Sequence, residues 1–270
     1  GYTYKLLCEE NTQQKETDIQ KENKWYHKLW KNIVRYCIKG EGITTTKDTE
    51  NSIEDWKRQA ETYLKKSVEN NPKGRYHQNL GAYYATIRDY DKALEQYKLA
   101  FNAEKRDDKI YNLIGSVLLY RAEMKLGISE RFQKGIVLSE ITLDKIDEEE
   151  RLNIQNDIKQ AYEWLNLAIK QVNPIINAYY NYSKACIYDS LFLGGGSQKM
   201  SEADKYLNTV EIIWNMNDSQ KPKGYLYTRR NYWEANKEYD KALEINQVIM
   251  NDDNSGDARA ERVYDSKKRN

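Results

Sequence analysis

Apolar residues recur along most of this chain three, four and seven places apart, with charged residues between them, which is the period of helices half-buried against one another. In the stretch 74–107, Leu80, Gly81 and Tyr84 share one helical face, and Ala93, Tyr97 and Ala100 share another. Between them Arg88-Asp89-Tyr90-Asp91 is turn material, with Asp89 or Asp91 as an N-cap. A glycine inside a helix costs about 1 kcal/mol against alanine. Gly81 within an apolar face therefore predicts close approach of the second helix, whose Ala93 and Ala100 are small and whose Tyr97 fills the remaining space.

The pattern repeats. Thirty-four residues beyond Leu80, Gly81 and Tyr84 stand Ile114, Gly115 and Leu118, preceded by Tyr111. Upstream, Trp56, Ala60, Leu64, Ser67 and Pro72 predict a helix and its end, while its first-helix partner is hard to find in 40–52. Downstream, Ala161, Leu165, Ala168 and Pro174 predict another second helix. Tyr179, Tyr182, Ser183 and Cys186 follow, with Ala203, Leu207 and Val210 as their partner helix. Leu226, Trp233, Ala242 and Ile249 make a last, degenerate pair, in which Arg229-Arg230 replaces Leu-Gly.

Two stretches break the period. The segment around 125–160 is about one repeat too long; Phe132, Ile136, Leu138, Ile141 and Leu143 predict an added helix, and Asp147 caps a long helix reaching Val172. This insertion reads either as an extra helix pair or as a regulatory, partner-specific element. The second, Leu191 to Lys199, holds Gly194-Gly195-Gly196-Ser197 and predicts a flexible inter-helix loop, since it lacks the Gly-Lys-Ser/Thr ending of a phosphate loop. At the N-terminus, 18–39 predicts an amphipathic helix bearing Trp25, Leu29, Trp30, Ile33, Val34, Cys37 and Ile38. It reads as a cap for the first repeat, a link to a further domain, or a dimer seam. The resulting division is 1–45 as capping or linker segment, 46–250 as repeat domain and 251–270 as a polar tail with a short final helix, its Lys267-Lys268-Arg269 end disordered.

These spacings resemble the tetratricopeptide repeat, loosely over 52–250 and specifically over 74–124. The resemblance implies an all-α, right-handed superhelical solenoid of antiparallel helix pairs, with an extra helical insertion around 125–160. It also implies a groove, lined by the first helix of each pair, that receives a peptide, a helix or another part of the same polypeptide. Carried over by register, the groove positions are Arg75, Gln78, Asn79, Lys109, Asn112, Tyr180, Lys184, Tyr227 and Asn231. The subtype that grips a C-terminal carboxylate is disfavoured. Asn79 and Lys109 fit two of its places, but Leu113 stands where its arginine would be, and bidentate carboxylate recognition needs that fork.

Composition narrows the function. With 43 basic and 42 acidic residues, no net field draws the chain to nucleic acid or membrane, and no apolar run approaches a membrane span. Glu148-Glu149-Glu150 reads as the acidic first turn of a helix rather than a metal site. Tyr supplies 23 residues against three Phe, which suits half-buried helix faces that need an apolar body with a polar tip. Cys8, Cys37 and Cys186 are odd in number and far apart, which reads as reduced thiols in a cytoplasmic protein. His27 and His77 cannot build a His-rich metal site, and His77 sits where the repeat packs an aromatic. No nucleophile-base-acid set is present, so the expectation is no enzyme, no cofactor and no metal. The expected function is a noncatalytic module that binds a protein or peptide. The alternative is the sensor or regulatory region of a larger signalling protein, which the Gly1 start and the Trp-rich 18–39 helix favour.

Overall fold

The computed structural model of the protein describes residues 47–103, 108–216, 221–253 and 258–268. The expected helix 18–39, the segment before it, Cys8, His27, Cys37 and Arg269 lie outside them. Among the described residues there are ten α-helices and no strands: α1 Lys47–Asn70, α2 Gly74–Thr86, α3 Tyr90–Ala103, α4 Asp108–Lys125, α5 Glu148–Ile169, α6 Ile176–Phe192, α7 Gly196–Met216, α8 Lys223–Ala235, α9 Tyr239–Asp253 and α10 Ala258–Lys268. None of them is long and apolar enough to cross a membrane. The chain divides after Ala103 into two compact units.

In the first unit α2 and α3 form a hairpin. A Cβ placed on Gly81 would lie 2.7 Å from ring carbons of Tyr97, so only glycine admits this ring at this depth. Ala93 and Ala100 are fully covered, as the spacing predicts. Asp89 is the N-cap of α3: its carboxylate accepts from the Lys92 amide at 3.3 Å. His77 is buried and bonded to Gln96 at 3.0 Å. Helix α1 crosses α2, where Tyr83 donates to the Lys57 carbonyl at 2.8 Å and Tyr84 to Glu61 at 2.9 Å.

The second unit consists of three successive hairpins, α4/α5, α6/α7 and α8/α9, with α10 against α9. First helices also touch: α4 meets α6, and α6 meets α8. Gly115 repeats the role of Gly81, since a Cβ there would lie 2.5 Å from Leu165 and 3.2 Å from the Ala161 carbonyl. Asp157 is buried on α5 and holds Arg121 of α4 by a two-pronged bond at 2.9 and 2.5 Å, toward the end where the two helices are joined. Arg229-Arg230 does not prevent the α8/α9 hairpin.

The tyrosine excess has a structural cause. Tyr84, Tyr182, Tyr188, Tyr225 and Tyr264 each donate to a glutamate on a neighbouring helix: Glu61, Glu202, Glu123, Glu211 and Glu234. The rings fill the seams while the hydroxyls satisfy carboxylates that would otherwise be costly to cover. Burial, reinforced by the Glu61 carboxylate, pushes the Tyr84 phenol up to about 12.

Four expectations need correction. The helix expected from Phe132, Ile136, Leu138, Ile141 and Leu143 does not form; the segment between α4 and α5 holds only the 3-10 turns Ile128–Glu130 and Leu138–Glu140. Gly127 and Gly135, at φ 62° and 67°, interrupt it, and its apolar residues follow no single helical stripe. Phe132, Val137 and Leu138 are nonetheless buried, because the segment folds as a cover over α8, α9 and α10. The final helix α10 is not merely polar: Ala260, Val263 and Tyr264 are buried in that same cluster. Lys267 and Lys268, expected to be disordered, lie in its last turn and pair with Glu140 and Asp240. The loop expected over Leu191 to Lys199 shortens to 193–195, because both flanking helices extend into it.

Helix α5 starts where the sequence places it. The Asp147 carboxylate accepts from the Glu150 amide at 3.0 Å, followed by three glutamates at the positive end of the helix dipole. Asp147→Ala is expected to cost about 1 kcal/mol, read as a lower urea midpoint at unchanged slope. No change in midpoint would show that the cap is dispensable.

Candidate partner-binding face

The nine positions carried over by register fall into two groups. On α2, Arg75 and Asn79 are exposed and Gln78 is half-buried; Arg75 lies over the Tyr76 ring, 4.8 Å from its centroid. Lys109, at the start of α4, is exposed. Tyr227 is half-buried. Asn112, Tyr180, Lys184 and Asn231 are instead buried and engaged inside the second unit. Their helices approach so closely that the polar tips meet each other. Asn112 accepts from the Asn181 side chain at 3.0 Å, and Tyr180 packs against the backbone at Gly224.

Within the second unit, the first helices α4, α6 and α8 carry aromatic and basic side chains, among them Tyr120, Lys184 and Tyr227. Lys184 of α6 pairs with Glu123 of α4 at 3.0 Å and stands 5.2 Å from the Tyr120 ring centroid. Tyr188 donates to the same Glu123 at 2.5 Å. Burial pulls the Lys184 ammonium down, but Glu123 outweighs it and holds the group above its ordinary range. Tyr120 is 39% exposed, so this end of the face presents an aromatic ring over a fixed charge pair.

The other end is built on α8 by the cover segment. Arg131 is buried and reaches Glu234 at 3.1 Å, Asn231 at 2.9 Å and the Ile128 carbonyl at 2.9 Å. Glu234 is wholly buried and also accepts from the Leu138 amide at 2.5 Å and from Tyr264 at 3.1 Å. Burial disfavours the Arg131 charge, but Glu234 more than compensates and raises its proton affinity. Arg229 is satisfied separately by Asp204 at 2.7 Å and Asn208 at 2.6 Å. Arg230 is not paired in this way: its guanidinium lies over the rings of Phe132 and Tyr227 and donates to Asn246 at 2.8 Å.

Sequence reasoning did not find Arg131, Glu234, Arg230 or Glu123. The one signal it had was Arg229-Arg230 in the Leu-Gly position, which marks a departure from the repeat without saying what the charges meet. Among the described residues, no group of three or more His, Cys, Asp or Glu could hold a metal ion. Burial pushes the Cys186 thiol well up, away from a nucleophile's range. No protein-family model matches the chain, and no curated protein matches it as a relative.

Proposed function

We propose that this chain is a noncatalytic helical-repeat module, a tetratricopeptide-like solenoid in a cytoplasmic setting, that holds a protein or peptide on the face made by its first helices. The observation that carries this reading is the recurrence, 34 positions apart, of a glycine against which the second helix of the hairpin packs, Gly81 with Tyr97 and Gly115 with Leu165. The contacts of α4 with α6 and of α6 with α8 support it, because stacked first helices make an extended surface. Tyr120, Tyr227 and the exposed Lys109 supply the aromatic and basic chemistry favoured at interface anchors.

The test is affinity capture with the intact chain, a Lys109→Glu/Tyr120→Ala variant of this face, and a Leu167→Glu control at an exposed site on α5. Capture should fall at least about tenfold in the face variant, the loss of about 1.4 kcal/mol that a single anchor carries, and be unchanged in the control. Equal loss in both variants, or in neither, removes the face from the binding site.

A second reading, a regulatory region controlled by its own polypeptide, is favoured by one observation. The segment between α4 and α5 already lies on α8, with Arg131 bonded to Asn231, a position assigned by register to the partner.

A further inference from the structure

We propose that Arg230 is the anchor for a carboxylate of the bound peptide, an acidic side chain or a C-terminus, at the α8 end of this face. The inference rests on the proposed function and gives the partner its chemistry.

Arg230 is 5% exposed, and its guanidinium cannot shed its proton. Its Nε has no hydrogen-bond partner. Its polar contact is Asn246, a neutral acceptor, at 2.8 Å. The carboxylate in the neighbourhood, Glu234, is held by Arg131, Leu138 and Tyr264. The buried cluster therefore contains two guanidiniums and one carboxylate, and lacks one negative charge. A buried charge without a partner is expensive, and an apolar residue of the same shape would be less so. Burial, followed by the neighbouring Arg131, lowers the Arg230 proton affinity, as expected of an unbalanced cation.

The geometry is that of a held donor. Phe132 lies 5.0 Å and Tyr227 5.2 Å from the guanidinium carbon, so two rings hold its plane. Asn246 fixes Nη1, and Nε is left without a hydrogen-bond partner. Of the two rings, Tyr227 is half-buried and Phe132 is 5% exposed. A planar fork with unused N–H groups suits a carboxylate, which accepts two parallel bonds. The residue departs from the repeat's small glycine at this register, and the nearby Glu234 carboxylate is already engaged by Arg131.

The test titrates N-acetyl-L-glutamate into the intact chain, with N-acetyl-L-glutamine and inorganic phosphate as comparison probes. The readouts are the Arg230 Nε–H resonance, assigned by its absence in Arg230→Met, and the melting temperature. N-acetyl-L-glutamate should move that resonance saturably with a Kd of about 1–10 mM, the range a ligand of this size reaches through one charged anchor. The glutamine analogue should not move it. Arg230→Met should abolish the ligand's effect on melting and, without ligand, melt at or above wild type. Arg230→Lys, which keeps the charge but not the fork, should bind at least about fivefold more weakly. A ligand-free Arg230→Met that melts below wild type would make the residue structural and overturn the proposal. So would a resonance moved by phosphate alone, or by none of the probes. Either result beside intact partner capture by the first-helix face overturns the carboxylate anchor and leaves the proposed function standing.

Discussion

Glu234→Ala is expected to lower the stability of the second unit by about 3–5 kcal/mol, the cost of stranding a buried charge. Glu234 has no exposure and accepts from Arg131, Leu138 and Tyr264. Truncation leaves the Arg131 guanidinium in the interior with Asn231 and a carbonyl, and leaves an amide and a phenol without their acceptor. The cover segment, which reaches α8 through these bonds, should loosen with them. Replacing both members, Arg131→Met with Glu234→Leu, should recover part of the loss, because it removes the charges together but leaves the Leu138 amide and the Tyr264 hydroxyl without their acceptor. Urea unfolding followed by far-ultraviolet circular dichroism measures all three variants. A Glu234→Ala midpoint within error of wild type would mean that the buried pair contributes nothing.

The second large effect is at the glycines. Gly115→Leu is expected to cost at least about 1–3 kcal/mol by overpacking. The new Cβ would meet Leu165 at 2.5 Å and, less yieldingly, the Ala161 carbonyl at 3.2 Å. Gly81→Leu should fall in the same range, against a tyrosine ring 2.7 Å away. Because the two glycines lie in different compact units, hydrogen exchange should report the first loss in α4 and α5 and the second in α2 and α3. Unchanged melting in both variants would remove the physical basis of the repeat.

What the sequence revealed was local. The Gly81–Tyr97 approach, the Asp89 and Asp147 caps and the small residues Ala93 and Ala100 follow from spacings under twenty residues, where one helical period or one turn decides the outcome. The candidate face was less legible. Register places Asn112, Tyr180, Lys184 and Asn231 on first helices, but it does not give the distance between those helices, at which Asn112 and Lys184 meet polar groups of the neighbouring one, nor the segment whose Arg131 meets Asn231. Arg131 and Glu234 lie 103 positions apart, and no periodicity pairs them. The apolar residues of the segment between α4 and α5 were read as a helix because hydrophobicity signals burial, and burial is what a folded cover provides without a helix.

The phenol–carboxylate seams bear on how such a chain can drift. At Tyr188, Tyr225 and Tyr264, exchange for phenylalanine keeps the ring but strips a donor from Glu123, Glu211 or Glu234. Exchange of the glutamate alone leaves a covered hydroxyl without its acceptor. Stripping the donor costs about 1–3 kcal/mol, a large share of a domain's margin, and loss of the glutamate costs more at Glu123 and Glu234, which also hold the buried cations Lys184 and Arg131. Descendants of this sequence are therefore expected to give up the phenol of a seam before its glutamate.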